Sequence, residues 1–176
     1  MEEKRFEGIP KNYQYFVLVE TNNWEESGYE KEYIEWALKI AQDNPEDERI
    51  NDPETQNDLG VFFSEGILVE KNVEMAVYWF EKAVAGGDDL ARSNLADILR
   101  KGNGGYPKDL KRAFELYQAC GLPYAHYRCG EFYEKGWGIE KDLDKAKTYY
   151  MLAYNEGHPL AKKKRVEWDF MDEDLS

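Results

Sequence analysis

The chain has 176 residues, with 36 acidic against 23 basic side chains and a formal net charge of −13. This length suffices for one domain with a buried core, and an aromatic content of 15% argues against intrinsic disorder. The negative charge disfavours nucleic acids and anionic membrane surfaces as partners and favours a basic protein or peptide.

The first third of the chain carries most of the charge. Residues 1–60 contain 16 acidic and 6 basic side chains. Residues 13–20 are compatible with either a short strand or a helix, whereas residues 29–43 have the period of an amphipathic helix. The apolar face of that helix is Tyr33, Trp36, Ala37 and Ile40. We predict that residues 1–52 form an acidic N-terminal capping segment with one helix, whose surface is either simply solvated or a docking surface for a basic partner.

From residue 53 onward one pattern occurs three times, at intervals of about 35 residues. Each copy predicts two helices. The first helix ends at a glycine that can adopt the left-handed conformation of a C-terminal cap: Gly66, Gly102 and Gly136. The second helix begins at a short polar side chain that can accept hydrogen bonds from first-turn N–H groups: Asn72, Asp109 and Asp142. No alternation typical of strands interrupts residues 53–170.

The repeated pattern resembles that of the Sel-1-like repeat family, which is related to the tetratricopeptide repeats. The third copy has nearly the whole motif, in Ala125, Cys129, Gly130, Tyr133, Gly136, Gly138, Ile139, Asp142, Lys145, Ala146, Tyr149 and Ala153. The resemblance implies an all-α fold, a right-handed superhelical solenoid of antiparallel helix pairs with about three repeats and capping helices at both ends. It also implies a role in protein–protein contact and no catalysis.

The C-terminal part predicts one more helix and a tail. Residues 159–170 have the pattern of a capping helix that completes the repeat domain 53–170, with Val166 and Phe170 in core positions. Four consecutive basic residues, 162–165, encircle this helix rather than line one face, so we interpret them as solubilising residues. Residues 171–176 are predicted to be an acidic tail.

No arrangement of residues predicts catalysis, so we expect neither an enzyme nor a cofactor. The two histidines, His126 and His158, have no evident nucleophile beside them. The glycine-rich residues 102–109 lack the spacing of a phosphate-binding loop. Cys120, His126 and Cys129 have a spacing that would suit an open zinc site, but both cysteines stand where the repeat places small or apolar core residues. We therefore predict no metal. Two cysteines and no apparent export signal predict a cytoplasmic protein.

Helix geometry predicts where a partner would bind. In superhelices of this type the first helices line the concave side. Within each first helix, the residues two before and two after the leucine position (Leu59, Leu95 and, in the third copy, Cys129) fall on another face than that position, and Glu134 extends this face by a turn. The predicted contact residues are Asn57, Val61, Ser93, Asp97, Tyr127, Glu131 and Glu134. The strip is polar and acidic with one tyrosine, which suits a basic surface or peptide, although ordinary solvated surface has the same composition.

The leading functional hypothesis is a stoichiometric protein–protein interaction module, most concretely an immunity protein that binds and occludes a basic bacterial toxin domain. The alternative is a regulatory adaptor or scaffold in a signalling or envelope-stress complex, which would bind a peptide segment with modest affinity. An enzyme with an unrecognised carboxylate site ranks third. Neither leading hypothesis involves a membrane or a nucleic acid.

Overall fold

A computed structural model describes residues 23–168, and every regular element in that range is helical. The expectations for residues 13–20, for Phe170 and for the tail 171–176 fall outside the described residues. The chain divides into two compact units. The first extends to Ala91 and includes Asn103–Tyr106, and the second consists of Arg92–Gly102 and the residues from Pro107 onward. Within the described range no helix is long and apolar enough to cross a bilayer.

The first unit contains α1 (Lys31–Asp43), α2 (Pro53–Glu65) and α3 (Val73–Ala85). α2 and α3 form an antiparallel pair, because Gly60 of α2 faces Phe80 while Pro53, at the start of α2, faces Gly86 beyond the end of α3. A Cβ atom at Gly60 would lie 2.5 Å from the Phe80 ring, so glycine is what permits this close approach. α1 packs against α2.

The buried face of α1 agrees with the prediction at Ala37 and Ile40 but differs at Tyr33, which is only partly buried, and at Trp36. The buried side chains are Ile34, Ala37, Leu38, Ile40 and Ala41. Trp36, expected on this face, is 40% exposed, so that expectation is wrong. Residues 34, 37, 38 and 41 cluster on one side of the helix, and residue 36 points towards the opposite side.

The second unit contains α5 (Leu110–Gln118), α6 (Pro123–Lys135), α7 (Leu143–Asn155) and α8 (Pro159–Trp168), together with α4 (Asp89–Lys101) from Arg92 onward. α6 and α7 pack as α2 and α3 do: a Cβ atom at Gly130 would lie 2.6 Å from the Tyr150 ring. The large, fully buried side chains of this unit are Tyr117, Phe132 and Tyr150.

The predicted helix ends are confirmed in all three copies. The three C-terminal glycines have φ of 75°, 71° and 69°, in the left-handed region that side chains disfavour: Gly66, Gly102 and Gly136. The three N-cap side chains each accept a hydrogen bond from the backbone N–H three residues on, at 2.9–3.0 Å: Asn72, Asp109 and Asp142. These local signals therefore fix where the paired helices start and stop.

The prediction that Val166 is a core residue is wrong, since its side chain is 80% exposed. Val166 stands seven residues after the first-turn proline of its helix, the register that Gly60 and Gly130 occupy in α2 and α6. In those helices the following helix packs on this position. No helix follows α8 among the described residues, so nothing in that range covers the valine. The burial in α8 comes from Ala161, which is fully buried.

Candidate functional site

The seven predicted contact residues separate into two groups by burial. The position two before the leucine is buried in every copy, with 4–7% exposure: Asn57, Ser93 and Tyr127. The remaining positions are partly exposed: Val61, Asp97, Glu131 and Glu134. Asn57 and Val61 belong to the first unit and the other five to the second.

Burial of the first group follows from how many neighbours a first helix has. The ring of Tyr127 on α6 lies 5.4 Å from that of Tyr150 on α7 and stacks on His158, just before α8, at 5.0 Å. α6 is therefore covered by α7 and also by the segment that leads into α8. The sequence argument allowed for one covered side, so it placed Tyr127 on an exposed strip.

Asp97 on α4 accepts hydrogen bonds from two other helices of the second unit and pairs with two cations of its own helix. Tyr124 of α6 donates its hydroxyl to the carboxylate at 2.8 Å, and Tyr117 of α5 donates its own at short range. Arg100 and Lys101 lie at 3.3 and 3.4 Å. Burial by itself would raise the pKa of Asp97, but the tyrosine hydrogen bonds and the two cations outweigh burial, and the pKa is lowered. Asp97 is therefore a carboxylate that ties α4 to α5 and α6.

Arg128 on α6 occupies the space between aromatic rings and an acid. Its guanidinium lies 4.8 Å from the ring centre of Tyr124 and donates to Glu131 at 2.5 Å. Its Nε atom is buried without a hydrogen-bond partner within the described residues, as is Nδ1 of His158. Burial opposes the charge of Arg128, but the hydrogen bonds to Glu131 and Tyr124 prevail and raise its pKa. The charge of Glu131 is therefore largely balanced by its own neighbour on the helix.

Glu134, at the end of α6, joins that helix to α7 and α8. It accepts a short hydrogen bond from the Tyr150 hydroxyl of α7. It also forms an ion pair with Lys164 of α8, whose Nζ lies 3.0 Å from the Glu134 carboxylate. Burial tends to raise the pKa of Glu134, but these two donors lower it overall. Lys164 belongs to the basic run that the sequence suggested was solubilising, and its side chain is instead 17% exposed and paired.

We call this part of the second unit the tyrosine–carboxylate surface, defined by Asp97, Tyr124, Arg128, Glu131, Glu134 and Lys164. Sequence reasoning found its three acids but missed Tyr124, Arg128 and Lys164. The spacing of Tyr124 to Arg128 (i, i+4) and of Arg128 to Glu131 (i, i+3) on one helix was a readable signal. Lys164 gave none, because its partner lies 30 residues away.

The first unit has a different electrostatic character. Residues 23–58 contain 12 acidic and 3 basic side chains. One acid, Asp58, is held as Asp97 is: the hydroxyls of Tyr29 and Tyr33 each donate to it at 2.7 Å. Nine of the others are exposed: Glu25, Glu26, Glu30, Glu32, Asp43, Glu46, Glu48, Asp52 and Glu54. We call these nine residues the N-terminal acidic surface.

The three residues considered for metal binding, Cys120, His126 and Cys129, have different structural roles. Cys120 and Cys129 are both buried as thiols, and burial raises the pKa of Cys129 to about 12. His126 instead pairs through Nδ1 with Glu156 at 2.6 Å. Among residues 23–168 no group of three or more histidine, cysteine or acidic side chains is arranged to hold a metal ion.

Comparisons with known proteins agree with this architecture. The Sel1 repeat model matches residues 53–88, 90–119 and 123–158, which contain the helix pairs α2–α3, α4–α5 and α6–α7. A Sel1 repeat protein from Oxalobacter formigenes superposes with a TM-score of 0.63 at 30% identity, over 77% of this chain and 98% of that one. A protective antigen present in uropathogenic Escherichia coli strains, which displays an SLR fold, superposes with a TM-score of 0.62 at 23% identity.

That second superposition covers 79% of this chain but only 33% of the antigen. A search of curated protein sequences finds no match. The predicted all-α repeat fold is confirmed by the helix pairs and by both structural neighbours. With three matched repeats over more than half of its length, the chain belongs to the Sel1 repeat family, whose members are in general protein-interaction modules.

Proposed function

We propose that this protein binds a basic partner protein stoichiometrically, most concretely as an immunity protein that occludes a basic bacterial toxin domain. The observation that carries the proposal is the N-terminal acidic surface, nine exposed carboxylates within residues 23–58. A concentration of charge of one sign accelerates encounter with a partner of opposite sign and orients it before contact. Salt at physiological strength screens such a field beyond about 8 Å, so binding should weaken as salt rises.

Only some of the predicted contact residues are proposed to contact the partner. Val61 and Glu131 are partly exposed, and we propose them as contacts at the edge of an interface. Asp97 and Glu134 already accept hydrogen bonds from tyrosines and pair with cations, so their first role is to hold helices together. Replacing Asp97 would change both folding and binding, which makes it unsuitable as a probe of binding alone.

We further propose that the protein is not an enzyme and acts in the cytoplasm. The acids of the second unit described above have structural partners, which argues against their use as a general acid and base. Both cysteines are buried thiols, as expected in a reducing compartment.

The test starts from a tagged full-length chain used to capture a partner from host lysate at low and high salt. The captured protein is then purified and titrated calorimetrically. Glu25→Gln with Glu26→Gln removes two charges from the N-terminal acidic surface, and Glu115→Gln with Glu140→Gln removes two exposed charges from the second unit. Exposed charge pairs contribute about 0.2–1 kcal/mol each, so loss of two should cost about 0.4–2 kcal/mol, which weakens binding about two- to thirtyfold and lowers its salt dependence.

Equal effects of the two pairs of substitutions would contradict the assignment of this surface, because the net charge change is the same. A captured partner that is acidic, or binding that strengthens with salt, would contradict the basic-partner proposal itself. Tight 1:1 binding that abolishes a toxin's activity supports the immunity role. Modest affinity for a peptide segment of a larger assembly supports the adaptor alternative.

A further inference from the structure

A groove of about 460 Å³ lies within the second unit and has the opposite charge to the rest of the protein. Its lining residues are Arg100, Lys101, Lys108, Leu110 and Trp137. Three of the five are cations and the other two are apolar. The same bias is visible in the sequence, since residues 100–112 contain five basic and one acidic side chain in a chain of net charge −13.

The apolar wall of the groove is held in place by its surroundings. The Trp137 indole packs edge-on to Phe132 at 5.6 Å, and its backbone N–H donates to the Phe132 carbonyl oxygen. Gly138 follows with φ of +67°, and a Cβ atom there would lie 2.9 Å from Cβ of Leu110. This close approach, which only glycine allows, brings the tryptophan loop against the start of α5. Trp137 and Leu110 therefore both belong to the lining of the same groove and supply its apolar part.

The cations are only partly neutralised within the protein. Arg100 donates to Asp97 at 3.3 Å and to the Tyr117 hydroxyl at 3.4 Å, which uses two of its five N–H donors. Lys101 lies 3.4 Å from the same Asp97 carboxylate, which also accepts from tyrosines. The Lys108 side chain is exposed. Since one carboxylate serves two cations, the groove keeps a net positive charge.

We propose that this groove binds an acidic segment of a partner protein, in which carboxylates flank an apolar side chain. The carboxylates would pair with Lys108, Lys101 and Arg100, and the apolar side chain would pack on Trp137 and Leu110. The groove's volume lies in the range of about 300–1,000 Å³ that is usual for pockets with a few convergent polar groups. A nucleic acid is the less favoured anion, because its extended phosphate chain would meet the acidic remainder of the protein.

The site is independent of the basic-partner proposal, since it uses other residues and a ligand of opposite charge. The experiment measures fluorescence anisotropy of a labelled hexapeptide, Glu-Glu-Leu-Phe-Glu-Glu, titrated with the full chain at low salt. Lys108→Glu is compared with Lys162→Glu, an exposed lysine of α8 outside the groove. The two variants have the same net charge, so only the position of the change differs.

We expect Lys108→Glu to weaken peptide binding about tenfold, which corresponds to about 1.4 kcal/mol, and Lys162→Glu to change it less than about twofold. Trp137→Leu should also weaken binding, with its helical circular dichroism unchanged as the check on folding. The Glu-to-Lys version of the peptide should not bind at this site. Equal losses in the two lysine variants would mean a general charge effect and would overturn the proposal.

Two other occupants are tested in the same assay. If a single-stranded oligothymidine of similar length binds more tightly than the peptide and loses affinity in Lys108→Glu, the groove takes nucleic acid and the proposal is wrong. If deletion of residues 171–176 strengthens peptide binding to the otherwise unchanged chain but not to the Lys108→Glu variant, the protein's own acidic tail occupies the groove. That result would also overturn an external partner as its ligand.

Discussion

Asp97→Asn tests whether the buried tyrosine–carboxylate contacts hold the second unit together. Asparagine keeps the shape of the side chain but removes the charge and one acceptor. In the folded protein that carboxylate accepts from Tyr117 and Tyr124 and pairs with Arg100 and Lys101. Hydrogen bonds to a charged group contribute about 1.5–3 kcal/mol. The amide oxygen of asparagine can still accept a hydrogen bond, so part of this stabilisation remains in the variant. We therefore expect the free energy of unfolding to fall by about 2 kcal/mol.

The measurement is urea unfolding followed by helical circular dichroism. With a slope of about 2 kcal/mol per molar urea, a loss of about 2 kcal/mol moves the midpoint down by about 1 M. The control is Asp144→Asn, an exposed aspartate of α7 in the same unit, for which we expect a change of less than about 0.5 kcal/mol. The comparison separates the loss of the network from the loss of one negative charge.

The pH dependence supplies a second, independent readout. The folded pKa of Asp97 is lowered relative to its unfolded value of about 3.9, so the carboxylate stabilises the fold above that pH. As pH falls below about 4 and through the folded pKa, this contribution is lost. The stability difference between the wild type and Asp97→Asn should therefore shrink towards zero in acid. A difference that stays constant with pH, or that Asp144→Asn reproduces, would refute the reasoning.

Three further predictions follow from packing and burial. Gly130→Ala should destabilise by about 1–2 kcal/mol in urea, because overpacking against Tyr150 exceeds the gain in helix propensity of about 1 kcal/mol; a stabilised variant would contradict this. With its pKa raised to about 12, Cys129 should react with Ellman's reagent at pH 8 only after denaturation, and prompt labelling of this thiol in the folded protein would show otherwise. Val166→Ser should change the unfolding free energy by less than about 0.5 kcal/mol, since the side chain is 80% exposed, and a larger loss would indicate that it is covered in solution.

The features that sequence predicted correctly are those encoded within a few neighbouring residues. A helix cap needs only a short polar side chain and the backbone three residues on, so Asn72 and Asp142 could be assigned from spacing alone. Repetition strengthened each assignment, because the same position carried the same chemistry in three copies.

The features that sequence missed depend on what lies beside a helix. Tyr117 reaches an acid 20 residues away and Lys164 one 30 residues away, and no local period records either pair. The cationic groove draws Lys108 and Trp137 from separate loops, so the spacing of residues within the glycine-rich segment 102–109 could not predict it. Tyr127 was misplaced because its burial depends on α7 and on His158.

Charge alone does not identify a binding residue in this protein. Whether a carboxylate is available to a partner depends on the hydrogen bonds that it already makes within the fold. A basic partner that approached Asp97 or Glu134 would have to share or displace tyrosine and cation donors that hold α4, α6 and α8 in register, at a cost in the stability of the unit. The same partner can pair with exposed acids such as Glu25 and Glu26 at little structural cost. Basic surfaces should therefore engage the N-terminal acidic surface first. Asp97 and Glu134 instead tie the helices of the second unit together through hydrogen bonds that a partner could take over only by breaking them.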